Sequence, residues 1–475
     1  MSSAAATDEL TVGVDIGTTS VKALAVSSSG AVVARTRVPH RIFHASADHL
    51  EHDARAAWRR GPRRALAQIE AELGTIEAAG PVRGVCVAGM VPSMTAVDRR
   101  GVPQTPGLLY GDLRGRGPGV GAEDAEPGAA MPDAVGFLRW TASEVPGAHG
   151  YWPAQAVATY ALSGHPAMDT MVAVTLEDLH RGTGWNEDLL EEMGVRTGQM
   201  PDVVPSGKPA GTIRLGHAAR GDGPRGGEAV VAGGTIDALC DQIVAGAEQP
   251  GDVLVIFGAT LIVWIVIADW SEAPGLWTVP HTVPDRMLVG GPSNAGALFV
   301  DWARSLLPSS RRADGGPVRH GSPDRVPVWL PYLRGERVPY HDPSLRAGLY
   351  DLDICDTPEG LQRAAFEASG FVVRSFLERA GVTARRIVAS GGGTRSEAWM
   401  AAVADASGLP VDCVAVPEGA ARGAAYLARM AAGLEGDLDG ARRWAAVGRR
   451  VEPDSSWREA CDRRFRRFAG LGPGH

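Results

Sequence analysis

The sequence predicts an α/β protein of two domains flanking a central cleft, and three observations carry the prediction. TVGVDIGTTSVKALAV, near the N-terminus, reads as strand, glycine turn, strand. DVLVIFGATLIVWIVI, beginning at Asp252, repeats that arrangement, so the chain looks internally duplicated. In each half a helix-like stretch then leads into a short apolar run, PVRGVCVAGM in the first and ARRIVASGGG in the second, with the composition of a buried strand. The expected domains are residues 1–249 and 250–475.

Composition narrows the class. A chain of 475 residues can bury large cores, and its 44% hydrophobic and 21% charged residues lie near the ~45–50% and ~25% of ordinary globular domains. With 55 acidic against 47 basic residues the formal charge is −8, so no broad basic surface is expected for nucleic acid or anionic lipid. Any phosphate must be held locally. Five cysteines form an odd set without a CxxC pair, which points to a reducing cytoplasm and to neither a disulfide framework nor a zinc knuckle. The N-terminus MSSAAATDEL lacks the basic flank and apolar run of a signal peptide. Val253–Ala268 is apolar but shorter than the ~18–20 residues of a membrane span, and its β-branched runs around Gly258 predict two buried strands instead. Val145–Met168, free of charged side chains, carries too many prolines and glycines to span a bilayer.

Taken in order, the first element is a β-meander: two apolar runs flank DIGTTS, and a turn at Ser27–Gly30 introduces a third. In the second half Thr357, Pro358 and Glu359 have the chemistry of an N-cap, a first-turn proline and a first-turn acid. A helix is expected from there, with Leu361, Ala365, Ala368, Val372 and Phe376 on its buried face and Gly381 as its stop. The glycine-rich stretches 115–128 and 221–227 are expected to be mobile loops.

No Walker-type GxxxxGK[ST] and no convincing GxGxxG follows a strand, so a phosphate cradle must be sought elsewhere. In DIGTTSVK a glycine permits close backbone approach, consecutive amides can line an anion site, and Thr18 and Thr19 add hydroxyls. Lys22 can complete a phosphate grip, and it is one of only two lysines in the chain. An ordinary polar hairpin turn would read the same way. Asp15 ends an apolar strand, where burial is costly unless it meets a cation, a water or donors; magnesium carrying a phosphate would satisfy it.

DIGTTSVKALAV resembles the first phosphate motif of the superfamily that joins actin, hexokinase and the heat-shock chaperone ATPases. The rest of the chain resembles the FGGY carbohydrate kinases, through AGMVPSMTAVDRRGVPQTPGLLYGDLRG, AGGTIDALCDQIVAGAEQPGDVL, VWLPYLRGERVPYHDPSLRAGLYDL and ASGGGTRSEAWMAAVADASGLPVD. GERVP and GGGTRSEAW are its most specific strings. The resemblance implies two RNase-H-like, actin-like ATPase domains closing on ATP, Mg2+ and a small sugar or polyol. It implies no nucleic acid or membrane partner, and it is compatible with a homodimer.

Residue by residue, the resemblance matches Asp15 to the metal-associated aspartate and Gly17, Thr18, Thr19 and Lys22 to the first phosphate turn. Gly258 and Thr260 match the second turn, Gly296 a nucleotide-side glycine, and Gly392, Gly393 and Ser396 the adenosine site. Asp237 matches the catalytic base, which receives the acceptor's proton as its hydroxyl attacks the γ-phosphate. Asp15 and Asp237 come from separate segments that must converge across the cleft.

Three departures accompany the match. Ala259 replaces the hydroxyl residue usual in the second turn. Met90, Val91 and Pro92 replace the polar residues of the family's sugar loop, so Met90 is expected to wall the acceptor site, to disfavour D-xylulose and to favour a deoxy or cyclic polyol. Asp112 and Arg114 in YGDLR keep a carboxylate for substrate hydroxyls, with Tyr110 in place of tryptophan. The competing readings are a catalytically weak nucleotide-binding regulator of the same fold, a kinase for a sugar acid, and a chaperone-like ATPase. No peptide-binding domain follows the second half to support the last of these.

Overall fold

A computed structural model describes residues 8–44, 49–77, 79–110, 112–114, 133–182, 184–216, 227–307 and 322–472. The expected loops at 115–128 and, save Gly227, at 221–227 lie outside these. The described residues divide into two compact units.

The first unit begins with β1 (Leu10–Ile16), β2 (Ser20–Val26), β3 (Val32–Pro39), α1 (Gly61–Leu73), β4 (Val82–Gly89) and α2 (Ala154–Ser163). It continues with β5 (Pro209–Arg214), β6 (Glu228–Ala232), β7 (Thr235–Ile236) and α3 (Asp237–Ala245). The second holds β8 (Asp252–Phe257), β9 (Leu261–Ile267), β10 (Trp277–Pro280), β11 (Met287–Ser293), α4 (Ala297–Ser305), α5 (Pro358–Ala380), β12 (Arg386–Ser390), α6 (Glu397–Ser407) and β13 (Val411–Val414). The chain then gives α7 (Gly419–Ala431) to the first unit before ending in β14 (Val447–Val451) and α8 (Arg458–Leu471) of the second.

The sheets bear out the duplication. Each has seven strands. Across the first the order is β3-β2-β1-β4-β6-β5, with β7 also paired to β4; across the second it is β11-β9-β8-β12-β13-β14, with β10 beyond β11. Step by step along both rows the pairings run antiparallel, antiparallel, parallel, parallel, antiparallel. The central β1 and β8 are buried at every position, as parallel-paired strands covered on both faces must be. Val253–Ala268 forms the hairpin of β8 and β9, and no described helix is long and apolar enough to cross a membrane.

The single break expected at 249/250 is corrected in two respects: the first unit ends at Val244, and residues 418–444 return to it. The reason is close packing. A Cβ on Gly13 of β1 would stand 1.7 Å from the Ala421 carbonyl oxygen, and one on Gly84 of β4 would stand 2.6 Å from that of Ala428, so these glycines let α7 lie directly on the sheet. Gly423 of α7 likewise meets the Cys240 carbonyl of α3, at 2.1 Å from the same construction. The helix expected from Thr357 is α5: the Thr357 side chain accepts the Gly360 amide and Gly381 closes the helix at φ 63°.

Candidate active site

In the first unit the site grows from the carboxyl ends of parallel strands, where sheets of this kind bind ligands. Asp15 on β1 stands beside Ala88 of β4, and Ile236, the last residue of β7, stands beside Gly89. Asp15 and Asp237 are therefore brought to one sheet edge with a single strand between them. They converge within the first unit and not across a cleft, which corrects the expectation. Asp15 is 5% exposed, and its Oδ2 accepts from Lys22 Nζ at 3.2 Å. The Asp15 carboxylate, with Asp241 and Glu418 adding to it, holds the Lys22 ammonium above its ordinary range against the pull of burial. Asp237 opens α3; its Oδ1 accepts the Ala238 amide at 2.7 Å. Burial first, then the negative charge of Asp15, push the Asp237 carboxyl up to about 6.

Between β1 and β2 the chain turns through Gly17, Thr18 and Thr19. The Gly17 amide donates to the Ser20 carbonyl at 3.1 Å, and the Thr18 hydroxyl bonds Tyr110 Oη at 3.1 Å. Below the turn, Trp58 Nε1 donates to His52 Nδ1 at 3.0 Å; because an indole nitrogen only donates, the imidazole proton sits on Nε2, which donates to the Thr18 carbonyl at 2.8 Å. Burial and the neighbouring His40 push His52 down to about 3, so it stays a neutral brace. The His40 amide takes the Thr19 carbonyl at 3.0 Å. In a trans peptide the C=O and the following N–H point in opposite directions. Gripping the Thr18 and Thr19 carbonyls from one side thus turns the amides of Thr19 and Ser20 to the other.

The second unit makes the same device from different parts. Gly258, Ala259 and Thr260 join β8 to β9, and the first amides of α4 take the carbonyls: Ala297 N donates to Gly258 O at 2.9 Å and Leu298 N to Ala259 O at 3.0 Å. The amides of Ala259 and Thr260 face away from α4 for the same reason. Gly296 caps α4 and abuts the turn; a Cβ there would stand 2.3 Å from the Thr260 carbonyl carbon. Because β8 and β12 are parallel neighbours, the Gly391–Ser396 segment starts from the same sheet edge. Gly393 packs on Phe257 and Trp399, and Ser396 caps α6 by accepting the Trp399 amide at 3.3 Å. Gly392 is different: a Cβ would meet nothing nearer than 3.7 Å, and at Gly258 nothing nearer than 3.4 Å. The fold does not need those two glycines.

Three residues expected at the acceptor site, Met90, Asp112 and Arg114, make contacts within the first unit. Met90 is 3% exposed and packs with the core of the first unit, with its carbonyl and that of Gly89 taken by Gln155 Nε2. Asp112 has no exposed surface: its oxygens accept the Leu50 amide at 2.8 Å and, in fork geometry, Arg114 Nε at 2.9 Å and Nη2 at 2.6 Å. Arg114 also bonds Glu51 and stacks on Trp140. Asp112 and Arg114 thus form an ion pair with the carboxylate fully buried and the guanidinium partly exposed. Residues that motif reading passed over include His52, whose only signal is a histidine between acids in LEHD, and Glu336, present in the GERVP string without a role.

Two topologically matched sheets, each with a glycine turn after its central strand, are the architecture of an actin-like ATPase fold, and solved structures agree. Xylulose kinase from Rhodospirillum rubrum superposes with a TM-score of 0.73 at 27% identity, over 97% of this chain and 98% of that one. Plasmodium falciparum glycerol kinase with ADP reaches 0.74 over 98% and 99%; at 14% identity it speaks to the fold alone. Among curated relatives, xylulose kinase of Streptomyces coelicolor is 29% identical over 93% of this chain and 92% of its own, and glycerol kinase of Citrifermentans bemidjiense 25% over 94% of each. Residues 254–432 match the FGGY family of carbohydrate kinases, C-terminal domain. Its second half is thus similar to the C-terminal domain of the FGGY carbohydrate kinases, and along most of its length the chain is similar to curated xylulose and glycerol kinases.

Proposed function

We propose that the protein transfers the γ-phosphoryl group of ATP to a hydroxyl of a small sugar or polyol. The observation that carries the reading is the pair Asp15 and Asp237 at neighbouring strand ends beside Lys22 and the first glycine turn. The acceptor oxygen forms a bond to the γ-phosphorus as the bond from that phosphorus to the β–γ bridging oxygen breaks, and ADP leaves. Asp237 takes the hydroxyl proton; its carboxyl, poised near 6, is ionised at neutral pH yet basic enough to accept it. The outward amides of Thr19, Ser20, Ala259 and Thr260, with Lys22, supply donors for phosphate oxygens. Gly392, Gly393 and Ser396 border the space assigned to adenosine, and Gly296 holds the second turn. Asp15 fits Mg2+, which takes one or two carboxylates and completes its shell with waters and phosphates. Bound there, the ion would neutralise charge on the transferring group.

The acceptor class follows the relatives, which include xylulose kinases, glycerol kinase and gluconokinase. Five cysteines without a CxxC pair support a reducing cytoplasm as the protein's compartment. A coupled ADP-release screen over pentuloses, hexonates, polyols and cyclitols tests the proposal: one class should raise ADP release well above the acceptor-free rate. Tight ADP binding with no acceptor-stimulated release from any class would instead establish a nucleotide-binding regulator, the reading that Ala259 favours.

A further inference from the structure

The GERVP string has no place in the chemistry above, and the structure gives each of its residues a contact. Gly335 adopts φ 74° and is crossed so closely by Pro343 that a Cβ would lie 2.5 Å from its Cα. The Glu336 amide and carbonyl pair with Asp342. Val338 donates its amide to the Pro292 carbonyl at 3.1 Å and packs beneath Gly291 of β11. The side chain of Glu336, 3% exposed, reaches the end of that strand: Oε2 accepts from Ser293 Oγ at 2.6 Å, and Oε1 accepts the amides of Asn294 at 2.9 Å and Arg337 at 2.7 Å. Ser293 Oγ in turn accepts the Ala295 amide at 3.2 Å, and Asn294 Nδ2 donates to the Gly335 carbonyl at 2.8 Å.

These bonds fix the bend between β11 and α4. Ser293 pairs with Leu261, the residue after the second glycine turn, and the bend delivers Gly296 and the α4 amides onto the carbonyls of Gly258 and Ala259. From the same bend the Ala295 carbonyl accepts Ser369 Oγ at 2.8 Å, Ser369 Oγ accepts Trp399 Nε1 at 3.2 Å, and Trp399 packs on Gly393. One buried network thus joins the second turn to the Gly391–Ser396 segment.

We propose that Glu336 is a positioning residue for nucleotide: it touches no ligand, and through the Ser293–Gly296 bend it holds the second turn and the Gly391–Ser396 segment in mutual register. The inference rests on the kinase reading for the identity of the ligand. A carboxylate accepting two amides and a hydroxyl does what no apolar residue can do there, because those donors would otherwise be buried without partners.

ADP binding by calorimetry, which needs no acceptor and no turnover, is the direct test. Glu336→Ala should weaken ADP about 10- to 100-fold, the scale of a slight misplacement of binding groups, with the KM for ATP rising in parallel and the KM for the acceptor unmoved. Glu336→Gln should recover affinity to within about threefold, since Oε1 still accepts both amides and Nε2 can donate to Ser293 Oγ. Ser293→Ala, a smaller cut that avoids loss of the carboxylate, should fall between them and serves if Glu336→Ala does not fold. Wild-type ADP affinity in both Glu336→Ala and Ser293→Ala, or in Ser293→Ala alone when the other is unfolded, overturns the positioning role. An equal rise in the KM values for ATP and acceptor also overturns it. Wild-type protein that fails to bind ADP removes the kinase reading beneath it.

Discussion

The two glycine turns occupy corresponding places in matched sheets, yet they are held by different means. Between Ile16 and Val21 the first turn is braced by side chains as well as backbone, with His52 on one carbonyl, the His40 amide on the next and Tyr110 on a hydroxyl, and charge from Asp15, Lys22 and Asp237 lies beside it. Between Phe257 and Leu261 the second turn is one residue shorter and is held by backbone, with the α4 amides on its carbonyls and a buried carboxylate behind them. Where the first strand ends in Val14-Asp15-Ile16, the second ends in Val255-Ile256-Phe257, with no charge. Duplication supplied one scaffold twice. The copies differ in what surrounds the turn: the first sets ionisable side chains beside it, the second a backbone-held turn after an uncharged strand end.

That difference can be broken at its chemical end first. Asp237→Asn should lower kcat by ~10²–10⁴ while ADP affinity and thermal midpoint stay close to wild type; unchanged turnover would remove the first turn's acid from the reaction. At the other end two glycines should separate shape from ligand space. Gly296→Ala drives a Cβ into backbone, so both midpoint and ADP affinity should drop, the latter by about tenfold or more. Gly258→Ala meets no atom closer than 3.4 Å, so it should keep the midpoint and lose affinity alone. A Gly258→Ala variant that melts early would show that glycine to be structural.

pH sharpens the contrast, because a buried, raised carboxyl stands near each turn, Asp237 by the first and Glu336 behind the second. As the proposed base Asp237 would have to be ionised, so kcat/KM should rise with pH through about 6 and fall about tenfold per unit below it, a limb that Asp237→Asn should lack. Glu336 is pushed by burial from 4.5 up to about 7, so the folded state holds its proton more tightly than the unfolded chain does. Its contribution to stability is therefore complete below about 4.5 and lost as pH climbs through about 7, on the order of 3 kcal/mol at most. Chemical denaturation at pH 5 and pH 8 should show wild type losing stability relative to Glu336→Gln; a pH-independent difference would count against it. The smallest effect belongs to Ala259→Ser, which restores a hydroxyl to the second turn. One added hydrogen bond is worth ~0.5–1.5 kcal/mol, so the KM for ATP should fall no more than about tenfold.

Much of this was legible in local sequence. Hairpins around DIGTTS and FGAT, the Thr357 cap and the Gly381 stop depend on neighbours a few residues apart, and each formed as expected. What escaped depends on distant partners. Met90 follows a strand whose residues are almost all buried, so alternation says nothing about which way the next side chain turns. Asp112 looked available because its saturation needs Leu50, far back in the chain, as well as Arg114. GERVP was conspicuous as a string, but the bend it braces begins at Ser293, and only the fold brings the two together.

The return of α7 to the first unit has a consequence for biosynthesis. A ribosome delivers Gly13 and Gly84 early, but the helix that covers them is not translated until Gly419–Ala431. For most of translation the nascent first sheet therefore keeps an open face along β1 and β4. A fragment cut at 249 would carry that uncovered face permanently, and it should emerge as a chaperone-bound or aggregating polypeptide until residues 418–444 are supplied in trans.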